Sequence, residues 1–259
     1  MSKVKYALED GVATIVMDDE ATLNAVDPAM VEDLGAAFAR AAGEARCAVL
    51  TGAGRAFSSG AKLSGGAPPI GEDGQLDLGL PLERQYNGFV TTLRDLPIPF
   101  VTAVNGAAAG VACSFALMGD LIVAGESGYF LQAFRRIGLV PDGGATYLLP
   151  RMTTRARAME MMLLGEKVPA RQALDWGLIN RCVPDEDLAP TASALAQQLA
   201  QGPKSLAAIR KLTWDSLDAE WRSQLQAERE AQREAGRTAD FTEGVQAFAQ
   251  KRPPQFTGN

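Results

Sequence analysis

Residues 4–8 and 12–17 alternate apolar and polar positions on either side of Glu9-Asp10-Gly11, the signature of two strands joined by a tight turn. Asp27-Pro28 then supplies a helix N-cap followed by a first-turn proline, and an Ala-rich amphipathic pattern predicts a helix to about Ala42. The run Cys47-Ala48-Val49-Leu50 is apolar without alternation and predicts a strand buried on both faces, ending in Thr51-Gly52-Ala53-Gly54. Strand, helix and strand in that order define an α/β arrangement.

Residues 64–80 are rich in Gly, Pro and Asp and lack periodicity, which predicts a mobile surface loop placed as a lid over a strand end. A helix follows over residues 81–95, and Pro97-Ile98-Pro99 introduces a strand over residues 100–104. Asn105-Gly106-Ala107-Ala108-Ala109-Gly110 turns into a helix of small residues ending near Gly119, and residues 121–124 predict another short strand. Beyond Pro141 the pattern is almost wholly helical, at residues 154–164, 169–176 and 187–249, and Lys251-Arg252-Pro253-Pro254 stops the last helix. The predicted organisation is an α/β core over residues 1–200 and a helical C-terminal region over residues 201–259.

Composition narrows the chemistry. The chain has 259 residues, a formal charge of −6 and no histidine. The acidic balance argues against nucleic-acid binding, which draws on concentrated Lys and Arg. With no imidazole, Ser-His-Asp and Cys-His catalysis and His-ligated zinc are excluded, so carboxylates, Lys, Tyr, Cys or backbone dipoles must do the work. Three widely separated cysteines without metal-type spacing suit free thiols in a reducing compartment. No apolar run is long enough for a membrane span and the N-terminus lacks a signal-peptide stretch, so a cytoplasmic location, no membrane and no metal site are the expectations.

Three segments are candidate sites. Residues 54–63 pack small residues after the buried strand, where backbone N–H groups can be left unpaired and aimed at a ligand; an ordinary strand-to-loop turn has the same composition. Within it Ser59-Gly60-Ala61-Lys62 matches S-x-x-K, but the companion S-D-N and K-T-G patterns are missing. Residues 105–112 open onto a helix and let a ligand approach the backbone, or serve only close helix–strand packing. In Gly138-Leu139-Val140-Pro141-Asp142-Gly143-Gly144 the acid is either a general acid/base with a pKa raised by burial or a helix cap with a lowered one. Phe130, Leu131, Phe134 and Leu139 lie near enough in sequence to line an apolar pocket around it.

Taken together, Leu23-Asn24-Ala25, Phe57-Ser58-Ser59-Gly60-Ala61, Ala103-Val104-Asn105-Gly106, Gly119-Asp120, residues 138–144 and Ala173-Leu174-Asp175-Trp176-Gly177-Leu178-Ile179 resemble the enoyl-CoA hydratase/isomerase, or crotonase, family, in order over almost the whole chain. The resemblance implies a spiral of ββα units with a helical C-terminal trimerisation region, assembling as a homotrimer or dimer of trimers. It implies an acyl-CoA substrate, with coenzyme A entering as part of that substrate and no separate cofactor. It places the two oxyanion-hole N–H donors at Ser59 and Val111, with Gly110 before the second. It puts the CoA-binding surface at the backbone around Asn24, Ala25, Val26, Ala61, Lys62 and Leu63, completed by a neighbouring subunit near Phe248 and Lys251, with Phe134 among the substrate-binding residues.

The departures bear on reaction type. The two glutamates of the family's hydratases fall at Ser114 and Phe134, so both acids are missing. Asp142 falls where the family's isomerases carry their acid, and residues 138–151 resemble the ring-opening 1,2-epoxyphenylacetyl-CoA isomerases most. An isomerase using Asp142 alone is therefore expected. Hydration, a non-catalytic acyl-CoA-binding member and a serine acylase are the alternatives; aryl-CoA dehalogenation, which the Asp142 position also allows, would need a histidine, which the chain lacks, and a tryptophan where Phe134 stands.

Overall fold

The computed structural model describes residues 2–62 and 69–259. Strands β1 (Val4–Glu9) and β2 (Val12–Met17) form the expected hairpin, and Asp27 caps helix α1 (Pro28–Glu44) by accepting the Met30 N–H. Next come β3 (Cys47–Gly52) and β4 (Ala56–Ser58), then a continuous helical rod made of α2 (Gly79–Pro81), a π-helical turn (Leu82–Tyr86) and α3 (Asn87–Arg94). Strands β5 (Phe100–Val104) and β6 (Ala107–Ala109) lead into α4 (Val111–Leu117). Strands β7 (Leu121–Gly125) and β8 (Tyr129–Leu131) precede α5 (Ala145–Met152) and α6 (Arg155–Leu164). The chain closes with β9 (Val168–Pro169), α7 (Ala170–Asp175), β10 (Arg181–Val183), α8 (Leu188–Ala200), α9 (Ser205–Ser216), α10 (Trp221–Ala235) and α11 (Ala239–Gln250).

The strands sort into two sheets, ordered β1-β2-β3-β5-β7-β10 and β4-β6-β8-β9. Successive strand pairs β3–β4, β5–β6 and β7–β8 each send their first member to the larger sheet and their second to the smaller one, and a helical segment follows each pair, so the chain advances as a spiral of ββα turns. Most neighbours in the larger sheet are parallel and buried on both faces, which is why β3 lacks alternation in polarity. The period of two still decides which face each residue takes. Ala48 and Leu50 join the core shared with α1 and α4, whereas Cys47 and Val49 pack with Val101, Ala103 and Val123 against Leu188, Ala192 and Leu195 of α8.

The expectation of an almost wholly helical segment beyond Pro141 is corrected by β9 and β10, and β6 and β8 also went unanticipated. These strands have two or three residues, too few to show a period. Of the expected lid, residues 64–68 lie outside the described residues. In the remainder Ile70 pairs with Leu76 and helix begins at Gly79. Cys47 and Cys113 are buried and Cys182 is half-buried, and Trp221 is 75% exposed. Among the described residues no helix is long and apolar enough to cross a membrane, and no cluster of potential metal ligands occurs.

Arg210 of α9 bolts the C-terminal helices to the core. Its guanidinium is buried, pairs with Asp120 at 2.7 Å and donates to the carbonyls of Leu93, Arg94 and Leu96 at the end of α3. Burial raises the Asp120 pKa and the Arg210 charge opposes that rise. Removing one partner of such a pair strands the other. Arg210→Ala is expected to lower stability by about 3–5 kcal/mol in urea unfolding; a loss under 1 kcal/mol would contradict this role.

Candidate active site

Loop 53–62, the β6–α4 junction and the turn at Asp142 meet at one place because glycines let their backbones touch. A Cβ on Gly60, at φ +92°, would lie 2.6 Å from the Ala109 carbonyl oxygen and 3.6 Å from the Gly110 Cα. Gly110 itself has φ +55° and backs onto the Phe134 ring, whose Cζ would lie 3.8 Å from a Cβ there. On the far side a Cβ on Gly143 would lie 2.9 Å from the Ser114 Cβ and 3.2 Å from the Val111 Cγ2. Gly60, Ala61, Gly110, Val111, Ser114, Phe134 and Asp142 are thereby gathered from four separate stretches of chain.

Which N–H groups remain free follows from pairing parity. Val26 forms a parallel bridge with Ala61, its N–H donating to the Gly60 carbonyl at 2.8 Å while its carbonyl accepts the Lys62 N–H at 2.8 Å. The Ala61 N–H therefore points to the opposite side, and among the described residues it has no acceptor. The Val111 N–H, first in α4, also has none, as the start of a helix dictates. Ser59 must be corrected as an N–H donor: its N–H is spent on the Leu23 carbonyl at 2.9 Å and its hydroxyl on the Thr22 carbonyl at 3.0 Å.

Asn24 is corrected as well: the whole residue is buried, and its backbone is already engaged, the N–H donating to the Asp19 carbonyl at 2.8 Å and the carbonyl accepting from Ser58. Held at φ +55°, it accepts the Asp19 N–H and donates to the carbonyls of Ala53, Ala56 and Phe57, while its own carbonyl accepts the Ser58 hydroxyl at 2.6 Å. It clamps loop 53–62 from beneath. Ala25 and Val26 are buried beside it; of their carbonyls, Val26 also accepts the Tyr86 hydroxyl at 3.1 Å, and Ala25 has no donor among the described residues. Lys62 is exposed, and its charge acts on Asp27. Leu63 lies outside the described residues. Phe248, 88% exposed, and Lys251, in the left-handed region at the end of α11, make no hydrogen bond or ion pair to this cluster within the chain.

Asp142 does not cap α5. Gly143 and Gly144 both take positive φ between it and the helix, Gly144 occupies the cap position, and no side chain bonds there. The Oδ1 atom of Asp142 is buried and has no hydrogen-bond partner among the described residues. Burial alone raises its pKa to about 6, with no contribution from any neighbouring charge. Of the apolar residues expected nearby, Phe130, Leu131 and Phe134 are buried and Leu139 is 38% exposed. Tyr86, delivered by the π-helical turn, lies close enough for the Asp142 charge to help keep its phenol protonated, though burial is the larger cause; its pKa is pushed up to about 12. Sequence reasoning missed Tyr86 because a π-turn has no readable period.

Two unpaired N–H groups beside a desolvated carboxyl define a site for holding a developing oxyanion while a proton moves. The chain belongs to the enoyl-CoA hydratase/isomerase family, whose model matches residues 7–259. It is 45% identical over 256 residues, 98% of each chain, to a probable enoyl-CoA hydratase of Rhodobacter capsulatus. It is 43% identical over 255 residues, 97% of each chain, to the 1,2-epoxyphenylacetyl-CoA isomerase of Escherichia coli. Among solved structures, a putative enoyl-CoA hydratase from Streptomyces coelicolor A3(2) superposes with TM-score 0.90 at 30% identity, covering 99% of this chain and 94% of that one. The two-sheet spiral with its helical C-terminal region is thus the crotonase fold.

Two stability measurements test this geometry. Asn24→Ala leaves buried carbonyls unpaired and is expected to cost about 2–4 kcal/mol in denaturant unfolding. For Asp142 the sign is opposite. Its folded pKa of about 6 lies above the ordinary aspartate value of 3.8, so below about pH 4 both folded and unfolded states hold the proton and the group contributes nothing. As pH rises to about 6 the unfolded chain ionises first and the folded state is progressively penalised. Asp142→Asn should therefore stabilise the fold at pH 7 by about 1–2 kcal/mol after allowance for solvent screening, with the gain vanishing near pH 4. Destabilisation at pH 7 would contradict a desolvated carboxylate.

Proposed function

We propose that this protein is an enoyl-CoA isomerase acting on an unsaturated or ring-containing acyl-CoA. The observation that carries the reading is Asp142: half-buried, its Oδ1 without a hydrogen-bond partner among the described residues, with a pKa raised to about 6 by burial and no second charge among those residues acting on it. The Ala61 and Val111 N–H groups hold the thioester oxygen. The Asp142 carboxylate removes a proton from C2 of a 3-enoyl thioester, and the electron pair runs onto the carbonyl oxygen as a dienolate. Asp142 then returns the proton at C4, which leaves the double bond conjugated between C2 and C3. Nothing is consumed, and one acid serves both transfers.

Hydration is the second reading, favoured by the name of the Rhodobacter capsulatus relative. It needs one group to activate water while another handles the Cα proton, and Ser114 and Phe134 occupy the positions where the sequence resemblance places those acids. A serine acylase finds no support, because the Ser59 hydroxyl is engaged by Thr22 and the Lys62 charge sits with Asp27. The proposed CoA surface comprises the Ala25 carbonyl and residues 61–63. Assembly as a homotrimer or dimer of trimers belongs to the same reading. The apolar surface left on the C-terminal helices, at Trp221, Leu225, Phe241, Val245 and Phe248, supports it and would bring Phe248 and Lys251 to a neighbour's site.

Parallel ultraviolet assays on a 3-enoyl-CoA and a 2-enoyl-CoA test the reaction through formation or loss of the conjugated thioester. The protein is expected to isomerise the first and hydrate the second poorly, with activity lost as pH falls through about 6 because the base becomes protonated. Asp142→Asn should lower kcat at least 1,000-fold, on the order expected for a positioned acid/base. Fast hydration would favour the second reading, and unaltered isomerisation by the variant would overturn the assignment of Asp142.

A further inference from the structure

Ser114 is fully buried in the middle of α4. A serine inside a helix ordinarily returns its hydroxyl to a carbonyl of the preceding turn. Here it leaves the helix and donates instead to the Asp142 main-chain carbonyl at 2.9 Å. The same carbonyl accepts the Ala145 N–H at 3.1 Å, so the Asp142 peptide is held from both α4 and the start of α5. Gly143 lies flat against the same surface, where a Cβ would meet Ser114 and Val111 at 2.9–3.2 Å. Val111 and Ser114 are three residues apart and share one helix face. A single turn of α4 thus carries a free N–H at one end and grips the acid's backbone at the other.

We propose that Ser114 is a positioning residue for proton transfer, its hydroxyl setting the Asp142 carboxyl at a fixed distance and angle from the Val111 N–H and keeping water from solvating it. This rests on the reading of Asp142 as the acid/base. Reaction rates fall steeply when reacting groups are misplaced by an ångström, and the turn at residues 138–144 has three positive-φ glycines that leave it free to move once unpinned. No other group near Asp142 confuses the titration. Tyr86, facing it from the π-helical turn, is pushed up to about 12. Cys113, beside Ser114 but turned toward Leu131 and Gln132, is pushed up to about 12 also. Arg135 and Arg136, from the segment before the turn, spend their guanidinium groups on the carbonyls of Leu164 and Gly165.

The test compares Ser114→Ala, Gly143→Ala and Asp142→Asn with the parent protein on a 3-enoyl-CoA, recording kcat, KM and the pH profile of kcat. Ser114→Ala removes the pin; Gly143→Ala keeps the hydroxyl but lifts the turn off α4, and it gives the answer if the first variant does not fold. Both are expected to lower kcat by ten- to a hundredfold with KM within about twofold, equivalent to about 1.4–2.7 kcal/mol at the transition state. Both should move the acid limb from about pH 6 toward the ordinary carboxylate range, because water regains access to the carboxyl. A kcat within twofold of the parent, or a general loss of melting temperature with the acid limb unmoved, would show that Ser114 only packs and would overturn the proposal. If Asp142→Asn is inactive in the same assay, such a result sinks the role of Ser114 alone; if it stays active, the assignment of Asp142 and this inference fail together.

Discussion

Backbone must touch backbone in this site, and most of the local sequence answers to that constraint. Side chains cannot supply two N–H groups to one oxygen atom as rigidly as main chain can, but main chain can do so only where no Cβ intervenes. Gly60 against Ala109 is one such contact. Two more support it: a Cβ on Gly52 would fall 2.3 Å from the Ala56 carbonyl oxygen, and one on Gly106 would fall 2.2 Å from that of Arg55. The Ala run of β6 and the small residues opening α4 belong to the same demand. What looks like a bland stretch of Gly and Ala is the scaffold of the site.

That scaffold was only partly legible. The hairpin, the Asp27 cap, the buried β3 and the acid at 142 could be read directly, because alternation, capping chemistry and a lone carboxylate among glycines are local signals. The free donor in loop 53–62 was placed two residues early, at Ser59 instead of Ala61. Alternation of N–H direction cannot separate two residues that lie two apart; the difference is set by distant partners, since the Leu23 carbonyl takes the Ser59 N–H whereas the bridge to Val26, thirty-five residues away in sequence, leaves that of Ala61 without an acceptor among the described residues. The backbone of Asn24 is not free for a ligand, because the residue lies wholly buried beneath loop 53–62, and sequence alone does not show burial. The ambiguity at Asp142, cap or acid, was resolved by the left-handed conformations of Gly143 and Gly144, which turn the chain before α5 starts.

The rest of the molecule holds these parts still at some cost to itself. The Asp142 carboxyl, whose buried Oδ1 has no partner among the described residues, opposes folding near neutral pH, and Asn24 in the left-handed region adds backbone strain. Against this stand the two-faced core of the larger sheet and the Arg210 bolt, which ties α9 to Asp120 and the end of α3. The same rod that ends in the Arg210 clamp carries Tyr86 at its π-helical turn, so the C-terminal helices and the wall of the site share one rigid element.

The chemistry the site permits follows from what surrounds the acid. A carboxyl stabilised by nearby charge would be a weak base near pH 7, and two coupled carboxyls would divide their titration between them. Asp142 has neither kind of neighbour: burial alone moves it. Its pKa of about 6 leaves it ionised at neutral pH, yet nearer to the pKa of a carbon acid whose anion is held by two N–H groups than an exposed aspartate would be. Such a group suits taking a proton from carbon and giving it back, and it does not by itself supply a second acid to orient water. Ser114 and Phe134 stand where the sequence resemblance places the acids of the hydratases, and each has a contact of its own at the site. Ser114 ties the surviving acid to the oxyanion helix, and Phe134 packs against Gly110 where another charge would have shifted Asp142.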